Sequence, residues 1–308
     1  MPASLSTSKV TRTSIRDGAA PPPVYFTLPL LLALSFILLV PFLNSLYISL
    51  CAYNPALGVG PSFNQGHNFR MAIADQNFRA SIEHSLVFTA ASLLIELVLG
   101  IGIAIWLWRH RSAATKVLPI LSVPCLLPPV IVGLLWLYLF NSRFGPAITF
   151  LGFLGVHNAQ SPFGLVMFAL PALVLVDVWQ WTPFVAILFY GSLLAVPDRL
   201  IDSARLDGAS ETQILRSIVS PHLISASIAI AIVRLIDLIK EFDKVYILTQ
   251  GGPSNSTELI SIFIWRTGFR HWDLGYAACL SLLVYVMLSI GAIALMRVIR
   301  RLERATNL

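Results

Sequence analysis

The chain has 308 residues, of which 56% are hydrophobic and only 12% charged, with a mean hydropathy of +0.78. A soluble globular domain carries about 25% charged residues, so the composition excludes that class and points to an integral membrane protein. The formal charge of +6 raises nucleic-acid binding as a class, but the placement of Lys and Arg around the apolar runs accounts for it without such a partner.

Residues 1–23 are rich in Ser, Thr and Pro, end in Pro21-Pro22-Pro23, and read as a disordered tail. Lys9, Arg12 and Arg16 precede the first apolar run with no A-x-A cleavage pattern, which reads as a retained signal anchor rather than a cleaved signal peptide. Six spans are expected: 25–51 with Pro29 and Pro41 inside, 85–108, 117–140, 164–195, 223–249 and 275–296. Each meets the roughly 20 apolar residues that a helix needs to cross a bilayer core. The fourth is too long for one straight span, and Pro171 and Pro183 are expected to break or kink it. Cys51, Cys125 and Cys279 lie in or beside apolar runs without disulfide or metal spacing, and read as small packing residues. No internal repeat is visible.

Lys and Arg set the orientation. The tail (Lys9, Arg12, Arg16), the 109–116 loop (Arg109, Arg111, Lys116), the 197–222 loop (Arg199, Arg205, Arg216) and the C-terminus (Arg297, Arg300, Arg301, Arg304) share one side. The opposite side carries only Arg70, Arg79, Arg143, Arg266 and Arg270. The positive-inside rule then makes both termini cytoplasmic.

The 197–222 loop has its own grammar. Pro197-Asp198 can open a helix, with Leu200, Ile201 and Ala204 on one face. Asp207-Gly208 is a turn signal. Ser210 with Gln213 has the capping-box form. Ile214, Leu215, Ile218 and Val219 then make an apolar stripe at helical spacing, and Pro221 is expected to close the segment before the fifth span. Four acids, Asp198, Asp202, Asp207 and Glu211, face three bases, Arg199, Arg205 and Arg216. A helix lying on anionic lipid would be strongly basic, so two readings stand: a protein-facing surface, or an ordinary solvated connector.

Asp202-Ser203-Ala204-Arg205-Leu206-Asp207-Gly208-Ala209, with Pro221 twelve residues further on, resembles the EAA loop of ABC-importer permeases. That pattern is E-A-A, two residues, D-G-A, then a helix ending in proline. The chain departs from it at Asp202 (Glu in the family), Ser203 (Ala) and Leu215 (usually aromatic). Phe242 to Pro253, F-D-K-V-Y-I-L-T-Q-G-G-P, is similar to the F-D-x-I-Y-x-L-T-x-G-G-P stretch of carbohydrate-importer permeases of the MalF/UgpA type. Asn68-Phe69 through Phe78 and Trp179-Gln180-Trp181-Thr182-Pro183-Phe184 resemble further family segments.

The resemblance implies an all-α polytopic membrane protein with six transmembrane helices and a MetI-like ABC permease fold. It implies a tail at 1–23, a permease domain at 24–300 containing a coupling loop at 197–221, and a cytoplasmic C-tail at 301–308. The implied function is a permease subunit of an ATP-driven importer for a sugar, polyol or sugar-phosphate-like solute, in the bacterial inner membrane. The implied partners are a second permease of the MalG/UgpE type, two ABC ATPase subunits that bind ATP and Mg, and an extracytoplasmic substrate-binding protein. No cofactor or metal is expected in this chain. The ATPase-coupling residues implied are Asp202, Ser203, Ala204, Asp207, Gly208, Ala209, Leu215 and Pro221.

A charge at mid-bilayer costs about 2.5–3.5 kcal/mol on insertion scales. Glu96, Asp177 and six charges of the fifth span, Arg234, Asp237, Lys240, Glu241, Asp243 and Lys244, therefore need reasons. Arg234 with Asp237 and Lys240 with Asp243 have pairing spacing on a helix. One reading is a polar path near the fourth and fifth spans, with Asp177, Gln180, Trp181, Arg234, Asp237, Lys240 and Tyr246 as candidates and Gln180 and Asp237 facing it. The other is mutual neutralisation inside the bundle. Glu96 is expected to be structural, hydrogen-bonded between helices. The outer segment from Thr257 to Arg270 is expected to form a surface or re-entrant helix, or a plain turn.

The chain lacks G-x-x-x-x-G-K-[ST], H-E-x-x-H and G-x-S-x-G, which argues against nucleotide hydrolysis, zinc proteolysis or a nucleophile elbow in it. A secondary transporter or channel with Asp237 or Glu96 as ion site, and an ABC permease for a non-carbohydrate solute such as polyamine or phosphate, remain as alternatives.

Overall fold

A computed structural model describes residues 24–154 and 160–306, so the expected tail at 1–23 lies outside the described residues. Two compact units divide between Tyr47 and Ile48. The helix α1 (Val24–Ser49) is unbroken through Pro29 and Pro41. An antiparallel hairpin follows, β1 (Cys51–Asn54) and β2 (Val59–Phe63), the one sheet among the described residues and a small addition to the expected all-α architecture. In the helix α2 (His67–Ala74), the buried Asn68 amide donates to the carbonyls of Ser49 and Cys51 at 2.9 and 3.0 Å.

The second span is the helix α3 (Gln76–Arg109), nine residues longer at its start than the apolar run. Asp75 explains the difference: its side chain accepts from the N–H groups of Asn77 and Phe78 and so caps a polar first turn. The third span is a correction. Instead of one helix over 117–140 it is α4 (Arg111–Leu121) and α5 (Val123–Leu126), then α6 (Pro129–Leu139) at 91° to them. Leu127 is extended (φ −77°, ψ 135°) because a residue before proline avoids the helical region, and Pro128 and Pro129 donate no N–H.

After α7 (Pro146–Phe153) comes α8 (Val166–Leu194), which is continuous through Pro171 and Pro183. The expected break does not occur. Pro183 is buried inside the protein, where neighbouring helices cover the place at which it removes a backbone bond, whereas Pro171 is exposed and the helix carries it without a break.

The loop then forms α9 (Asp198–Leu206) and α10 (Glu211–Ile214). A π turn over Leu215–Val219 joins α10 to α11 (Ser220–Ile239), so one helical stretch runs from Glu211 to Ile239. Pro221 therefore does not close the segment. It follows directly on the π turn, inside the continuous helical stretch, which carries it without ending. The fifth span also ends early, at Ile239, and residues beyond it form the separate helix α12 (Asp243–Leu248).

The segment α13 (Ile260–Trp265) with a π turn over Arg266–Arg270 buries Ile260, Ile262 and Phe263, so it is an internal element and not a surface helix. The last helix, α14 (Leu274–Thr306), continues through most of the expected C-tail. Among the described residues five helices are long and apolar enough to cross a membrane, and the bent pair α4–α5/α6 makes a sixth.

α3 and α8 form the most extensive helix pair. Gly100 permits their approach: a Cβ there would stand 2.6 Å from Val185 Cγ1 and 3.3 Å from the Ala186 nitrogen. One apolar core joins α3, α6, α8 and α12 around Phe88, Val132, Val176 and Val245. A second joins the ends of α3 and α8 to the loop through Trp108, Phe189, Ile201, Ile214 and Val219. Gly100→Leu is expected to destabilise the fold by about 1–3 kcal/mol, because Val185 is stiff at χ1 and the helices must part. A thermal-unfolding midpoint in detergent equal to that of the unaltered protein would contradict this packing account.

Candidate functional site

The loop that carries the D-G-A pattern is built by its caps. Gly208 adopts φ +82°, the left-handed conformation. Its N–H donates to Arg205 and the N–H of Ala209 to Ala204, at 3.0 and 2.9 Å. This is the Schellman closure of α9, with glycine at the one position where a side chain is strained. No atom lies within 4 Å of a Cβ at Gly208, so backbone conformation and not space demands the glycine. Ser210 then opens α10 with a complete capping box to Gln213. Arg205 crosses the turn, its Nε and Nη2 donating to Glu211 Oε1 at 3.1 and 3.0 Å.

Ile201, Ile214 and Val219 anchor this loop in the core. Asp202, Ser203, Asp207, Gly208 and Pro221 are exposed, and Ala204, Ala209 and Leu215 are half-buried. Leu206 is 89% exposed at the tip. Arg111 ties the base of the loop to α4, donating to both Asp198 oxygens at 2.6 and 3.2 Å. This guanidinium holds the Asp198 carboxyl below its ordinary range. The pair is therefore fully formed above the unfolded carboxyl pKa and is lost only as pH falls through the lowered one. Between the pair and the loop lies an open cavity of ≈ 580 Å³ whose lining includes Trp108, Arg109, Arg205 and Glu211.

A second site is a knot of buried charge. Arg234 forks on Glu96, Nε to Oε2 and Nη2 to Oε1, both at 2.8 Å. Its Nη2 also reaches Asp177 Oδ2 at 2.8 Å. Lys244 donates to the other Asp177 oxygen and to Gln180 Oε1 at 3.1 Å, and lies 3.0 Å from Glu241. The Gln180 amide donates onward to the Leu127 carbonyl at 3.0 Å. The Arg234 guanidinium stands 4.8 Å above the Trp181 ring. The side chains of Glu96, Asp177, Arg234 and Lys244 are at most 2% exposed.

The path candidates thus divide. Asp177, Gln180, Arg234 and Trp181 come together in the knot. Gln180 is buried with both amide ends engaged, so in this conformation it faces Lys244 and Leu127 and not an open path. Asp237 and Lys240 lie outside it and pair with each other at 3.9 Å, with side chains 44% and 63% exposed. The expected Arg234–Asp237 pairing is corrected: Arg234 is neutralised from α3 and α8. Lys240 pairs backwards to Asp237, since the helix ends before Asp243. Tyr246 joins Phe242 and Trp265 in a half-buried aromatic cluster, with ring centroids 4.9–5.8 Å apart. Glu96 is interhelical, as expected, but its partner is an ion. Lys244 and Glu241 were absent from the candidates; their i,i+3 spacing was the available signal.

The family model for binding-protein-dependent transport system inner membrane components matches residues 96–307. The chain belongs to that family. It is a multi-pass inner-membrane component of the binding-protein-dependent class, which removes the secondary-transporter and channel alternatives. A probable ABC transporter permease, y4oQ of Sinorhizobium fredii, is 29% identical over 90% of both chains. The trehalose/maltose transport system permease MalF of Thermococcus litoralis is 29% identical over 84% of this chain and 87% of its own. A solved bacterial alginate ABC transporter, in complex with an alginate pentasaccharide-bound periplasmic protein, contains a chain of the same fold. Its TM-score is 0.77 at 17% identity, over 91% of this chain and 94% of that one.

Removing one partner of a buried ion pair leaves its counter-charges uncompensated, so Arg234→Met is expected to destabilise the protein by about 3–5 kcal/mol. Adding Glu96→Leu removes the orphaned carboxylate and leaves Asp177 to Lys244, so the double variant should recover much of the loss. A double variant no more stable than the single one in detergent unfolding would refute the pairing.

Proposed function

We propose that the chain is one of two permease subunits of an ATP-driven importer for a sugar, polyol or sugar-phosphate-like solute. The 197–221 loop is its contact with a cytoplasmic ATPase, both termini are cytoplasmic, and an external binding protein delivers the solute. ATP and Mg bind the ATPase partners. The observation that carries the reading is the loop itself: a Schellman turn and a capping box make a rigid corner, and its second helix runs without interruption into a span. A push on the corner is thereby delivered along the span.

The loop's outward face suits a protein cleft. Asp202, Ser203, Asp207 and Gly208 are exposed around Leu206, a bare apolar tip amid polar neighbours. Leu206 offers a partner cleft one apolar contact point on this polar surface. Charge balance there argues against a lipid surface. For the solute, support comes from MalF, named for trehalose and maltose, and from the alginate transporter. The half-buried cluster of Phe242, Tyr246 and Trp265 adds a stacking surface for a sugar face.

Gly208→Pro tests the loop. Proline holds φ near −65°, incompatible with the +82° observed. Insertion and assembly should survive, while ATP hydrolysis no longer rises when solute-loaded binding protein is added. Stimulation equal to that of the unaltered complex would sink the assignment. Asp237→Asn probes the path directly: if Asp237 faces the solute, uptake of it falls with assembly unchanged.

A further inference from the structure

We propose that Gln180 is a positioning residue that links the break in the third span to the coupling helix. The proposal rests on the coupling reading given above and deepens it. A broken span inside a membrane frees backbone groups that no water can satisfy. The carbonyl of Leu127 is such a group: α6 meets the preceding helix at 91° there, and two prolines follow. Gln180 Nε2 donates to it at 3.0 Å.

The other end of the same amide enters the knot of charge. Gln180 Oε1 accepts from Lys244, Lys244 and Arg234 share Asp177, and Arg234 forks on Glu96. Arg234 lies on the uninterrupted helical stretch Glu211–Ile239, which begins in the D-G-A loop and is about 43 Å long at 1.5 Å per residue. Loop, helix, Arg234, Asp177, Lys244, Gln180 and the Leu127 carbonyl are thus one connected series. Because the charged side chains are buried and engaged with one another, Arg234 cannot shift alone without stranding a carboxylate. Movement of the coupling helix must carry Asp177 and Lys244 with it or rearrange the whole set. Gln180 is the member whose hydrogen bond leaves the knot for a backbone hinge.

The same knot meets a second break. Beyond the end of α11, Ser261 Oγ donates to the Glu241 carbonyl, and the Glu241 carboxylate holds Lys244 at 3.0 Å, accepting also from its backbone N–H at 3.2 Å. These two discontinuities are therefore fastened to one cluster.

The test uses the assembled transporter in lipid discs, free and trapped with Mg-ATP and vanadate, read by amide hydrogen exchange. In the unaltered complex, exchange at Cys125–Val132 should differ between the two states, with the same ATP midpoint as exchange at Asp198–Ile214. Gln180→Glu keeps the acceptor for Lys244 and loses the donor to Leu127; Gln180→Met loses both. In each, the ATP-dependent difference at the break should fall by about ten-fold, the factor a lost buried hydrogen bond supplies, while that at the loop and the KM for ATP stay unchanged. A purely structural role would alter both states alike and leave the difference intact. A preserved difference in both variants, or different ATP midpoints at loop and break in the unaltered complex, would overturn the proposal. No ATP-dependent difference at the loop itself would instead overturn the coupling reading on which it stands.

Discussion

The fork of Arg234 on Glu96 decides how this bundle can be built. A guanidinium that is 1% exposed cannot be left alone in a medium of low dielectric, and its carboxylates cannot either. So α3, α8 and α11 must meet at one level, with Glu96, Asp177 and Arg234 aligned there. Gly100, one turn beyond Glu96 on α3, lets α8 come close enough. Lys244 brings α12 to the same point.

That constraint also explains why the broken spans are tolerated. Each helix end inside the bundle leaves groups that need partners, and side chains of neighbouring elements supply them. Gln180 serves the Leu127 carbonyl and Ser261 the Glu241 carbonyl. Ser85 on α3 accepts from the N–H of Ile260 at the start of α13, at 2.8 Å. The irregular parts of the chain are thus tied to its most regular helices.

Much of this was legible in sequence, and the reasons differ by element. Apolar length marked the six crossings. The D-G-A loop was legible down to its capping box, because caps and turns are local chemistry with fixed spacing. The 91° break was missed because Leu127-Pro128-Pro129 sits inside an unbroken apolar run, and hydropathy is blind to the missing donors. Conversely Pro171 and Pro183 predicted a break that does not form: Pro183 is covered by neighbouring helices, and the exposed Pro171 is carried within the same continuous helix. The knot was half visible: the charges were plain, but pairing by spacing along one helix gave Arg234 to Asp237. The true partners, Glu96 and Asp177, are 138 and 57 residues away in sequence, beyond the reach of any periodicity.

The π turn over Leu215–Val219 carries one consequence of a different kind. Such a turn holds a residue more than the regular helix around it, and each residue advances a helix by about 100°. The turn takes up that extra residue by widening, so the helix beyond it keeps the azimuth a regular helix would give, and Arg234 stays turned towards Glu96. Deleting one residue between Leu215 and Val219 would leave a regular helix with Arg234 still in line. Inserting one residue between Leu223 and Val233, where no such turn absorbs it, would instead rotate Arg234 by about 100° and present a neighbouring apolar side chain to two buried carboxylates. The stretch before the span is therefore the place where this helix tolerates a change of length.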